Sequence, residues 1–239
     1  MKIKFNLLFL LLFLFSKTSF SDQSIAVVTE EGVLQYTKDN RVIGPATEIV
    51  KGVLDLTPFQ YKIRSLPWTR AYNNAILKPN TLIYSMIRNP EREQMFHWIG
   101  KITDTRFSLY ALKSSNIKIN NLEDARHYSI GVVKDDISHL YLTKQGFTKL
   151  SFVSGFEQNI KKFLSGRFDL IILQSYECKS ERLNCENFEE VHEVEQLSLG
   201  FYMALSKPTP SPVVDLLKLA YNDFSASGRI EEILAQTFK

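Results

Sequence analysis

From Ser24 to Ile87 the chain alternates between a strand-like and a helix-like apolar period, and that rhythm restricts its possible folds more than any other feature. Ser24 to Thr29 reads as a strand that leaves through Glu30-Glu31-Gly32, and Asp39-Asn40 supplies a turn between Tyr36 and Val42. Pro45 suits the first turn of a helix, where its missing amide hydrogen costs nothing. Ala46, Ile49, Val50, Val53 and Leu54 then share one helical face, with Pro58 beyond the end. Tyr61 to Leu66 is a short strand. A second helix carries Trp68, Ala71, Tyr72, Ala75 and Ile76 and stops before Pro79, and Thr81 to Ile87 is again a strand. This β-α-β-α-β order predicts an α/β fold with helices covering a sheet.

The pattern changes near residue 100. Strands are predicted over Arg106 to Leu112, Tyr128 to Val133, Leu150 to Val153 and Asp169 to Leu173, with a helix over Ile137 to Gln145 closed by Gly146. Ser154-Gly155-Phe156-Glu157 has capping-box spacing, followed by a helix that buries Ile160, Phe163 and Leu164. Leu197 to Leu205 is β-like. Pro212 opens a helix bearing Val213, Leu216, Leu217, Ala220 and Phe224, and Gly228 separates it from a last helix with Ile230, Ile233 and Leu234. The expected organisation is two α/β halves, the second inserted between Phe107 and Leu197, with the C-terminal helices returning to the first.

The N-terminus is a separate object. Lys2 and Lys4 precede an apolar run from Leu7 to Phe15, and Ser19 and Ser21 stand three and one places before Asp22. A secretory signal peptide over residues 1–21, cleaved before Asp22, is expected. An uncleaved anchor is the alternative, but the run is short for about 30 Å of hydrocarbon. The 29 basic residues lose Lys2, Lys4 and Lys17 with the leader, leaving them equal to the 26 acidic ones. A neutral body gives no basic footprint for nucleic acid. The only two cysteines, Cys178 and Cys185, sit in a polar excursion of an exported chain, so a local disulfide is expected.

Familiar catalytic and metal motifs are absent. His97, His127, His139 and His192 have no zinc-site spacing, and no dinucleotide, P-loop or nucleophile-elbow signature occurs. The segment Tyr84-Ser85-Met86-Ile87-Arg88-Asn89-Pro90-Glu91-Arg92 puts two guanidinium groups just past a strand, where ligands of open α/β sheets sit. Arginine's planar fork suits a carboxylate. Arg88 and Arg92 either hold a ligand or pair with acids such as Glu91 and Glu93. In Pro67-Trp68-Thr69-Arg70, Trp68 is either a cleft wall or a core cap, and Arg70 offers another positive group.

These segments resemble, in order and spacing, the bacterial extracellular solute-binding proteins of family 3, the amino-acid-binding type of type II periplasmic binding proteins. Gly44-Pro45-Ala46-Thr47-Glu48-Ile49-Val50, Pro67-Trp68-Thr69-Arg70, Arg88 to Arg92, Trp98-Ile99-Gly100, Tyr128 to Val133 and Leu164 to Leu170 carry the likeness. The resemblance implies a two-lobed fold with two hinge crossovers, near Thr103 to Ser108 and Leu197 to Phe201. Lobe 1 would hold residues 22–105 and 198–239, and lobe 2 residues 106–197. It implies a monomer in the periplasm of a Gram-negative bacterium, without cofactor or metal. The protein would capture a small polar or anionic, carboxylate-bearing, amino-acid-like solute for an ABC permease. A dehydratase-like enzyme and a sensory or protein-interaction domain are the alternatives on the same fold.

By the same resemblance Arg92 matches the arginine that grips a ligand carboxylate. Ser85 and Ile87 belong to the segment completing the clamp, Arg88 follows a subgroup pattern, and Trp68 would wall the cleft. Lys134-Asp135-Asp136 replaces the usual glycine-threonine pair, and Asp136 or Asp135 is placed to meet an ammonium group. Gln174 stands where an acid normally receives the α-ammonium, and nearby Glu177 either compensates or serves its own loop.

Overall fold

Each apolar rhythm builds one layer. The structure, a computed structural model, describes residues 24–180 and 182–237. The leader expected over residues 1–21 lies outside the described residues. β1 (Ser24–Thr29) runs parallel to β4 (Gln60–Ser65) on one side and to β5 (Thr81–Ile87) on the other. β12 (Gly200–Ser206) and β6 (Phe96–Asp104) add on in antiparallel sense, giving the order β4-β1-β5-β12-β6. β5 is buried along almost all its length, as its unbroken apolar sequence requires of a covered central strand. β2 (Tyr36–Lys38) and β3 (Arg41–Ile43) form a hairpin, with Asp39 and Asn40 both at positive φ.

α1 (Pro45–Asp55) buries the predicted face and packs with α5 (Ser211–Ala226) and α6 (Arg229–Thr237). α2 (Trp68–Leu77) packs on β1, β5 and β12 through Trp68, Ala71 and Ala75. The second sheet has the order β11-β7-β10-β8-β9, from β11 (Phe188–Glu193), β7 (Phe107–Leu112), β10 (Leu170–Gln174), β8 (Ile130–Val133) and β9 (Leu150–Val153). α3 (Ile137–Lys144) and α4 (Phe156–Leu164) accompany it. Gly131 in β8 permits the packing of α4: a Cβ there would collide with the Phe168 ring and Asn159 Oδ1.

The chain passes between the sheets twice, from β6 into β7 and from β11 into β12. The two passages run side by side. Thr105 N–H donates to Leu199 O (3.0 Å) and Val194 N–H to Phe107 O (2.8 Å).

Three local expectations change. β6 and β11 were not foreseen as strands. β6 mixes apolar residues with His97, Lys101 and Thr103 and has register shifts against β12. β11 reads as a charged segment because its acids are satisfied across the strand pair. Arg106 pairs with Glu190 (3.1 Å) and Glu193 (3.2 Å), and Ser108 Oγ donates to Glu190 (2.8 Å). The capping box at Ser154 uses a different partner. Gly155 is the helix N-cap, and Gln158 Oε1, rather than Glu157, accepts from Ser154 N (2.9 Å) and Oγ (3.0 Å).

Candidate functional site

The strand ends aim polar side chains into one space. Glu30 follows β1, Ser85 lies in β5, Asp136 follows β8, and Gln174 ends β10 just before Glu177. All five line a cavity of about 60 Å³. Asn159 of α4 lines it too. Ligands of open parallel sheets sit at this position, outside strand C-terminal ends. A larger open recess of about 620 Å³ is bounded by Lys51, Phe224 and Arg229, among others. The smaller cavity is the better candidate because buried ionisable groups converge on it.

Backbone strain marks both walls. Ser85 has φ 57° within β5 and Asp135 has φ 62° in the turn after β8. Left-handed non-glycine residues of this kind cost on the order of 1–3 kcal/mol and persist where surrounding structure enforces them. Ser85 Oγ donates to Gln35 Oε1 at 2.6 Å, which fixes the serine against the loop that follows β1.

Three carboxyl groups dominate the electrostatics. Glu30 is pushed up to about 8 by burial first and by Asp136 second, against the pull of Arg92. Glu177 also rises to about 8 through burial, then through Glu30 and Asp136, although Gln174 N–H donates to its Oε2 at 2.7 Å. Asp136 rises to about 7 by burial. Its N-cap bond from His139 N–H (2.7 Å) and the Arg92 charge restrain that rise. The Gln174 amide nitrogen, assigned from its hydrogen-bond pattern, faces Glu177 at 2.7 Å. No group of three or more His, Cys, Asp or Glu residues among the described residues is close enough to hold a metal ion.

Direct contacts bridge the halves beside the cavity. Trp68 Nε1 donates to Asp135 O (2.8 Å), and Thr69 Oγ1 donates to Asp135 Oδ2 (3.0 Å). Lys144 pairs with Glu91 at 3.1 Å. Val133 and Val153 of the second sheet join an apolar cluster with Val28, Trp68 and Ile83 of the first. Cys178 and Cys185 are disulfide-bonded, and in the loop they close the Arg182 guanidinium stacks 3.6 Å from the centre of the Tyr36 ring.

The residues singled out from the sequence separate into distinct places. Ser85, Asp136 and Gln174 line the cavity. Arg92 is 4% exposed and lies behind its wall, outside the lining. Its Nη1 donates to Ile87 O (3.2 Å), and its guanidinium lies 5.3 Å from the Trp68 ring and 5.1 Å from the Tyr72 ring. Ile87 is buried and meets this arrangement through its carbonyl. Trp68 takes the core-cap alternative, buried over Arg92. Arg88 likewise takes the ion-pair alternative, with a two-pronged bond to Glu93 (2.8 and 2.6 Å) and stacking on Trp98 and Tyr202. Arg88 borders a separate surface recess, and exposed Arg70 lies outside the cavity lining. Glu30, Gln35 and Asn159 were missed. Glu30 had an available signal, since it is the first residue after the first parallel strand.

The architecture is the two-lobed type II periplasmic-binding-protein fold with two crossovers. It is similar to an ancestral arginine-binding protein bound to arginine, with TM-score 0.79 at 15% identity over 92% of this chain and 100% of that one. It is similar to an amino-acid ABC transporter substrate-binding protein from Streptococcus pneumoniae bound to L-arginine, with TM-score 0.78 at 13% identity, covering 91% of this chain and 95% of that one. A histidine kinase sensor domain with similarity to periplasmic binding proteins gives TM-score 0.77 at 15% identity, covering 90% and 95%. No protein-family model and no curated protein sequence matches the chain.

Proposed function

We propose that the protein is an exported solute-binding protein that closes over a small polar solute and presents the closed form to an ABC permease. The observation that carries this reading is the polar cavity at the strand ends, walled by Glu30 and Ser85 from one sheet and by Asp136, Gln174 and Glu177 from the other. Residues 22–105 and 198–239 form the first lobe and residues 106–197 the second, after removal of the leader at residues 1–21. The disulfide supports a periplasmic location. Solute preference for the closed form would set the open–closed balance. Arg92 and Trp68 back the wall, and Ser85, Asp136 and Gln174 face the solute. The solved proteins of this fold named above are binding and sensor proteins, which favours binding over catalysis.

A sensory role is the second reading, favoured by the small cavity and the direct Trp68–Asp135 contact beside it. One experiment separates these readings. Thermal stability and small-angle scattering are followed across amino acids, amides, amines, dicarboxylates and short peptides, with a product assay on the same samples. Stabilisation with closure and no product is expected. Product formation would convert the reading to an enzyme, and inertness to every solute class would leave the sensory role.

A further inference from the structure

We propose that the cleft selects a short solute bearing two protonated nitrogens and no carboxylate, bridged between Glu30 on one wall and Asp136 and Glu177 on the other. The proposal rests on the solute-binding reading and names its substrate class.

The first ground is the balance of charge. Three carboxyl side chains line the cavity toward the solute, whereas the guanidinium of Arg92 lies outside the lining, bonded to Ile87 O and flanked by Trp68 and Tyr72. A carboxylate in this space would meet three carboxyl groups and no lining cation, whereas a protonated amine favours their ionised form. The ordinary amino-acid arrangement, and the anionic solute expected from the sequence, are disfavoured for the same reason.

The second ground is independent of the acids. Asn159 is 5% exposed, and its Nδ2 donates to Gly131 O at 3.4 Å. Asn159 is among the lining residues, and its Oδ1 is a buried acceptor with no hydrogen-bond partner. A buried acceptor left unbonded costs about 1–3 kcal/mol, so a solute N–H that reached this oxygen would be favoured over another acceptor. The Gln174 amide nitrogen is already turned to Glu177 and does not supply it.

Size and spacing narrow the class. About 60 Å³ corresponds to roughly four to six water positions, the scale of a solute with few non-hydrogen atoms. The carboxyl groups are not gathered closely enough for one metal ion, so separated cationic ends match them better than a point charge.

The test is calorimetry at pH 8 on the purified protein with 1,3-diaminopropane and 1,4-diaminobutane, against glycine, succinate and acetamide, with scattering to follow closure. The diamines are expected to bind and close the protein. Glu30→Gln and Glu177→Gln should each weaken them by about tenfold, the loss of one charge-assisted contact. Both variants retain side-chain shape, and an unchanged circular-dichroism spectrum would show that they fold. Closure by succinate, glycine or acetamide without any response to the diamines would overturn the charge assignment and leave the solute-binding reading standing. Diamine affinity unmoved in both variants would also overturn it. Absence of binding and closure with every solute class would overturn the proposal and the solute-binding reading together.

Discussion

The indole nitrogen of Trp68 donates to the carbonyl oxygen of Asp135 at 2.8 Å, joining α2 to the turn after β8. Asp135 holds a left-handed backbone conformation there, and its carboxylate accepts from Thr69 as well. Protein atoms beside the cavity thus join the two halves directly.

Trp68→Phe keeps the ring over Arg92 but removes the donor. Losing one such bond costs about 1 kcal/mol, so the open form should gain roughly fivefold in population. Small-angle scattering of the ligand-free variant should report a larger radius of gyration. An unchanged radius would show that this bond does not hold the lobes.

Arg92→Ala should lower folding stability by about 2–4 kcal/mol, because it empties a buried space between two aromatic rings and strands the Ile87 carbonyl. An Arg92 that gripped a ligand carboxylate would instead leave the fold intact and weaken carboxylate binding. Urea denaturation distinguishes the two, and an unshifted midpoint would contradict the packing role.

Cys178→Ser with Cys185→Ser should cost about 2.5 kcal/mol on loop-entropy grounds. Glu177 directly precedes the closed loop, so solute binding should weaken alongside the melting temperature. Dithiothreitol acting on the native protein should reproduce both effects; stability indifferent to reduction would refute this.

Glu177 titrates from 4.5 to about 8 on folding, and Glu30 and Asp136 shift the same way. The folded protein holds more protons than the unfolded chain between these limits. Their contribution is full below about pH 4.5 and is lost as pH rises through about 7 to 8, at up to about 1.4 kcal/mol per pH unit per group. Ligand-free melting temperatures should therefore fall between pH 5.5 and 8.5, and Glu177→Gln should flatten the slope. A rising profile would contradict the burial of these acids.

Gly131→Ala should destabilise by about 1–3 kcal/mol, since the new methyl group meets Phe168 and Asn159. Denaturant midpoints would show it, and a neutral result would mean that α4 can shift.

Where periodicity was strong, the sequence was sufficient: β1, β5 and β9 span the residues their alternation or apolar runs mark out. β11 was hidden because its glutamates find Arg106 and Ser108 only after strand pairing. The cavity was partly legible. Ser85, Asp136 and Gln174 were reached through the likeness to the solute-binding family, but the fate of each arginine depended on distant partners. Arg92 is enclosed by α2 through Trp68 and Tyr72, whereas Arg88 finds Glu93 and the ring of Tyr202. Asn159 reaches the cavity from α4, over a glycine in another element, and no local pattern announces that.

Glu30 stands on one wall of the gap, and Asp136 and Glu177 stand on the other. Once their protons leave, these walls repel each other across the gap, against the pull of the Trp68–Asp135 contact. An occupant that neutralised the gap would relieve that repulsion and leave the Trp68–Asp135 contact unopposed.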